Sequence, residues 1–219
     1  MRALAWTLVQ EGHKVLVISA DGWQDQLLGV ASSVGWDEML LYEREQEGKV
    51  AESAIPYQFA KSFHPRLSVM ASSKLYPQDP ALYQQIGALG SNSQEVVLST
   101  MALSDDSVRW LLVPPDLRML KKKKRQWAER QPELILVNFM AQENICQDIR
   151  QGYATFFSAP FTLLPLCPLC QREDLYGFDA MQMLRSPYGR AVHEAAKTLD
   201  LGSERGASLL FRHWKRWPR

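Results

Sequence analysis

Cys167-Pro168-Leu169-Cys170 places two thiols at the spacing of half a zinc site or of a redox pair. A zinc ribbon needs a second pair, and Cys146 is the one cysteine left in the sequence. His193 is a candidate fourth ligand, but no spacing ties it to the others. A thioredoxin-like pair would follow the first strand of its fold, whereas this one follows the last strand expected here. Ordinary buried or loop cysteines are the simpler account, and a small redox or metal-binding protein using Cys167 and Cys170 stays as an alternative. His13, His64, His193 and His213 are scattered and make no ligand spacing. Asp21 and the Asp105-Asp106 pair are isolated acidic positions from which no acid–base pair can be built. No nucleophile motif of the G-x-S-x-G type is present.

Cations are more conspicuous. Lys121-Lys122-Lys123-Lys124-Arg125 is the one long charge run. Five consecutive residues wrap around a helix, so they cannot all share one face. The run reads as a solvated helix surface, or as a patch for anionic lipid, nucleic acid or an acidic partner. The C-terminus, Leu209 to Arg219, mixes aromatics with cations. At about 100° per residue, Leu210, Trp214 and Trp217 fall on one side of a helix. Arg212, Lys215, Arg216 and Arg219 fall on the other. That is a short interfacial-helix pattern suited to an anionic membrane surface. The competing readings are a tail that docks a tryptophan on the domain or on a partner, and a disordered tail.

Short apolar runs alternate with helical stretches along the chain. Val15–Ile18, Leu67–Ala71, Val96–Leu98, Trp110–Val113, Leu134–Val137 and Phe161–Leu166 read as strands, several of them buried on both faces. Helices are expected over Ala3–Gln10, Asp37–Gln46, Asp79–Ile86, Leu117–Arg130, Glu143–Tyr153, Asp174–Leu184 and Ala191–Leu199. Gly12 is placed to end the first of them. The pattern predicts an α/β domain over 1–200, a mostly parallel sheet with helices on both faces, and a basic-aromatic tail over 201–219. Ligands on such sheets bind at the carboxyl ends of the strands. The positions after Ile18, Leu98, Val113 and Val137 are therefore where chemistry would sit.

Composition sets the outer bounds. The 219 residues are 46% hydrophobic and 22% charged, enough for one α/β domain with a sizeable core. A net charge of +1 gives no global pull toward nucleic acid. Three cysteines, an odd number, argue against a secreted disulfide framework. With no signal peptide and no long apolar run, a cytoplasmic protein is expected, at most peripheral at the inner membrane.

Ala3-Leu4-Ala5-Trp6-Thr7-Leu8 followed by Gly12-His13-Lys14-Val15-Leu16-Val17-Ile18 resembles the first helix and second strand of ParA/MinD-type P-loop ATPases. Within that class it is most similar to the ParA/MinD-like family of bacterial cellulose operons, BcsQ or YhjQ. Beyond the first thirty residues the similarity is one of order and pattern. Val96-Val97-Leu98 stands where the family has its Walker B strand, and Leu134 to Asn138 where a strand ends in an Asn near the nucleotide base. Leu163-Leu164-Pro165 resembles the late strand leading to a base-contacting loop.

The resemblance implies a P-loop NTPase fold, a nucleotide-sandwiched homodimer and a role with cellulose synthase components at the inner membrane. An alternative is a partitioning or positioning ATPase acting on DNA or a polar cargo. If nucleotide binds, Asp21 would lie near the phosphates and Asn138 near the base. The departures are equally informative. The family's Gly-rich loop with its Lys and Ser/Thr, which cradles phosphate and Mg²⁺, is not in this sequence. Ser19 stands where the second strand usually ends in Asp, and Ser99 near the Walker B Asp. ATP and Mg²⁺ are therefore expected only if a loop is encoded upstream. The chain as it stands is expected to be a pseudo-ATPase, degenerate or truncated at that site.

Overall fold

The computed structural model describes residues 1–18, 60–70, 96–99, 108–128, 132–138, 141, 143–168, 180–199, 201 and 208–212. The helices expected over Asp37–Gln46 and Asp79–Ile86 lie outside these residues. The chain forms two compact units, Met1–Ser107 with Asp200–Leu210, and Val108–Leu199 with Phe211–Arg219.

The first unit opens with helix α1 (Arg2–Gln10), which buries Ala3, Leu4, Ala5, Thr7, Leu8 and Val9. Leu4 and Leu8, and Ala5 and Val9, are four residues apart, so one stripe of the helix faces the sheet. Gly12 ends it at φ 96°. The Gly12 amide donates to the Val9 carbonyl at 3.1 Å and the His13 amide to the Leu8 carbonyl at 3.0 Å. This paired closure needs a left-handed residue, which glycine adopts without a Cβ penalty. The chain then enters β1 (Val15–Ile18), all four residues of which are buried.

Strand β1 pairs in parallel with β3 (Leu67–Met70) on one side and β4 (Val96–Ser99) on the other. Helix α1 packs on β1 and β3. Continuous apolar runs such as Val15–Ile18 suit this central position, where both faces are covered. Strand β2 (Lys61–His64) is antiparallel to β3 and turns into it through Pro65-Arg66. It was not foreseen, because its one large apolar residue is Phe63.

In the second unit β5 (Val108–Val113), β6 (Leu134–Asn138) and β7 (Phe161–Leu164) run parallel. Between them lie α2 (Leu117–Ala128) and α3 (Glu143–Ala154). The odd-numbered strand residues Leu111, Val113, Ile135, Val137 and Leu163 share a core with Leu120 of α2 and Tyr153 of α3. Helices α4 (Ala180–Arg185) and α5 (Pro187–Ala196) pack on each other, and α5 packs on β7. Helix α5 begins four residues before the expected start at Ala191. Ser186 caps it and Pro187 takes the first-turn position, where the missing N–H costs nothing.

The C-terminal segment differs most from expectation. Ser208–Arg212 is a strand, β8, and not the start of a helix. It pairs in parallel with β4, Val97 against Ser208 and Ser99 against Leu210. The physical reason is that Leu209-Leu210-Phe211 fits a strand as well as a helical stripe, and ladder pairing along β4 settles the choice. The first unit thus has the strand order β2-β3-β1-β4-β8.

Candidate functional site

The carboxyl ends of the parallel strands are the natural site. In the first unit they form a register row. Ile18 stands opposite Met70 on one side and Ser99 on the other, and Ser99 stands opposite Leu210. Ser99 ends β4 and is fully buried, at 0% exposure. Its hydroxyl therefore faces protein, where a metal-associated carboxylate would have to face a ligand. Ser19 and Asp21, the next positions after β1, lie outside the described residues.

In the second unit Val113 and Val137 are register partners, and Asn138 pairs with Leu164. The four buried residues Leu134–Val137 give way to an exposed Asn138 at the strand's last position. The loop after β6 is tied to the chain after β7 by the Leu166 amide, which donates to the Ala141 carbonyl at 3.0 Å. Asn138 thus presents a side-chain amide at the exposed end of β6. Such an amide can donate and accept on one edge, as recognition of a nucleobase or another planar polar group requires.

The loop after β5 is fixed from two directions. The Asp116 carboxylate caps α2 by accepting from the Arg118 amide at 2.9 Å and the Met119 amide at 3.2 Å. The Tyr153 hydroxyl donates to the Pro115 carbonyl at 2.8 Å. Burial, with a smaller push from the Asp116 carboxylate, holds the phenol pKa above its usual 10.0.

Cys167 is buried at the end of the segment after β7. Its sulfur lies 4.0 Å from the Ser186 hydroxyl, which itself donates to the Met183 carbonyl at 2.6 Å and accepts from the Gly189 amide at 3.1 Å. Cys170 lies outside the described residues. Among the described residues no three His, Cys, Asp or Glu side chains gather where they could hold a metal ion.

The basic run lies on α2. Lys121, Lys122, Lys124 and Arg125 are exposed around the buried Leu120. Lys123 belongs to the same helix. The Lys124 ammonium sits 5.2 Å from the Phe156 ring centroid. Leu210 and Arg212 belong to β8, while Trp214, Lys215, Arg216 and Trp217 lie outside the described residues. No helix among the described residues is long and apolar enough to cross a membrane.

No protein-family model matches the sequence, and no curated protein does. The structure, however, is similar to that of the MinD cell division protein of Aquifex aeolicus, with a TM-score of 0.62 over 90% of this chain and 88% of that one. The fold is MinD-like. At 15% identity the likeness concerns architecture alone. A MinD-like fold accounts for the parallel strands and the helices between them. It also agrees with the ParA/MinD-type order expected from the sequence.

Asn138 and Ser99 are thus at strand ends, as the sequence suggested, each within its own unit. The Tyr153–Pro115 and Ser186–Cys167 contacts were not foreseen. Each joins residues distant in sequence, and the local pattern carries no signal for such pairs.

Proposed function

We propose that this chain is a ParA/MinD-like regulatory protein of bacterial cellulose biosynthesis and export, acting by dimerisation and docking on cellulose synthase components and not by turning over ATP. The observation that carries the non-catalytic part is Ser99. It occupies the end of β4 as a fully buried hydroxyl, and so offers no carboxylate to a Mg-nucleotide. Ser99 does not supply the carboxylate that the metal side of such a ligand would need. Asn138 does fit the base side, so a weakly held nucleotide would contact the exposed amide there, with Asp21 toward the phosphates. The cellulose part is supported by the likeness of Ala3–Leu8 and Gly12–Ile18 to the corresponding family segments.

Two measurements test the two parts separately. MgATP titration of the purified chain is expected to show no tight, Mg-dependent binding and no hydrolysis, and tight Mg-dependent binding would overturn the pseudo-ATPase reading. Affinity capture of the tagged chain from cellulose-producing cells is expected to enrich cellulose synthase subunits. Loss of the chain without effect on cellulose output, together with no such enrichment, would overturn the assignment of its cargo.

A further inference from the structure

Among the described elements, β8 is the one that the chain returns to the first unit from far along the sequence. The unit takes Met1–Ser107 and recovers the chain only at Asp200–Leu210. Ser208, Leu209 and Leu210 then stand opposite Val97, Leu98 and Ser99 in parallel register.

Two strands of this unit contrast at their edges. Strand β2 begins the described strand order and carries devices that keep an open edge from pairing further. They are Lys61 and a register shift between Ser62 and His64. Strand β4 carries neither. Val96-Val97-Leu98-Ser99 has no charge and no proline. Its register with β1 and with β8 runs without a shift, and all four of its residues are buried. It is built as an inner strand, so its side away from β1 needs an occupant. The sequence that fits there is Ser208–Leu210.

Nothing in that ladder requires the occupant to come from the same chain. Strand β8 follows a connection, Asp200–Ala207, that contains Gly202 and Gly206 and no apolar run. A second copy carries the same strand on the same connection. Each copy has one slot and one strand, so reciprocal exchange closes at two copies and leaves neither β4 unpaired.

We infer that β8 is an exchange strand, through which two copies of this chain form a homodimer, each Ser208–Leu210 pairing with Val97–Ser99 of the other copy. The partner is a second copy because this chain's own sequence already matches the slot in register. The closed monomer and the exchanged dimer share the β4–β8 ladder and differ in the entropy of linking and association. Concentration therefore decides between them, and a short flexible connection sets the crossover at roughly millimolar protein. The inference rests on β4 and β8 alone and not on the nucleotide or cellulose reading.

The test uses the full chain with Cys146, Cys167 and Cys170 changed to Ala. One preparation carries Val97→Cys, a second Ser208→Cys, and a third both. Register partners on neighbouring strands lie within disulfide reach. The double variant, refolded at about 1 µM, should oxidise within the chain and remain a monomer. The two single variants, unfolded together and refolded at about 0.5 mM, should give a mixed disulfide of twice the chain mass. Deleting Ser203–Arg205 shortens the connection and should lower the concentration needed for the dimer by about tenfold. Light scattering of the unsubstituted chain, refolded at both concentrations, should show the same dimer without the cysteine changes. A chain that stays monomeric at the high concentration, while the double variant forms its internal disulfide, would overturn the inference. So would a dimer that yields no mixed disulfide, which would place the contact on another surface. Failure of the double variant to oxidise would deny the β4–β8 pairing and the exchange with it.

Discussion

The Tyr153 hydroxyl reaches 38 residues back along the chain to donate to the Pro115 carbonyl. The bond fixes α3 to the loop after β5, beside the Asp116 carboxylate that caps α2. A phenolate can neither donate this bond nor tolerate burial near a second negative charge, which is why the folded pKa lies above 10.0. The group's contribution is therefore fully present below pH 10 and is lost as pH rises through the higher folded-state value. Tyr153→Phe should cost about 1 kcal/mol at neutral pH. Its stability should then fall less than that of the parent chain in alkali. Denaturant unfolding at neutral and alkaline pH checks this, and an identical alkaline loss in both proteins would contradict it.

Among the described glycines, Gly189 sits at the closest approach of other backbone. A Cβ there would collide with the Met183 and Leu184 carbonyl oxygens. Both are backbone atoms of α4 and cannot rotate aside. Gly189→Ala should force α4 and α5 apart and cost about 1–3 kcal/mol. Ser186→Ala, which removes the cap of α5, should cost about 1 kcal/mol. Thermal melts of the two variants measure the difference, and a neutral Gly189→Ala would show that the junction yields.

The elements legible in the sequence were those with continuous apolar runs between turn residues. Val15–Ile18, Val96–Leu98 and Leu134–Val137 are buried on all sides and appear where the sequence put them, the second strand running one residue further to Ser99. Strand β2 was not legible, because Lys61-Ser62-Phe63-His64 has no apolar run, and its pairing depends on β3 and the turn. At the C-terminus the same residues satisfied two periods, and the available edge of β4 decided for the strand. Of the candidate site, the strand ends at Ser99 and Asn138 could be read from position alone. The full burial of Ser99 could not, since it depends on neighbours brought in by pairing.

Helix α2 offers a contrast between adjacent residues. Leu120 is completely buried in the core with Leu111, Ile135 and Tyr153. Leu120→Ala should cost about 2–5 kcal/mol by lost transfer energy and the cavity left behind. Lys121→Ala, one position on and exposed, should stay within about 0.5 kcal/mol of the parent chain. Equilibrium unfolding of the pair tests whether the cations belong to the surface and not to the core.

Cys167 should behave as an inert thiol in the native protein. It is 6% exposed and packed near Ser186. Comparison of the parent chain with Cys167→Ala in an aromatic-disulfide titration should show one slowly reacting thiol missing from the variant. Under denaturant the parent thiol should react at the rate of an exposed cysteine. Fast native-state reaction at Cys167 would contradict the buried placement.

The pairing of β4 with β8 also sets an order of events. Val97 and Ser208 are register partners across about 110 residues of chain, and the Val108–Leu199 part of the second unit is threaded between them. During synthesis β4 emerges long before its partner exists, and in that interval one edge of its ladder is open to any strand nearby. The first unit closes only once Ser208–Leu210 has been made. A nascent or clipped chain that stops short of Ser208 would therefore leave Val97–Ser99 as an unpaired edge open to misassembly.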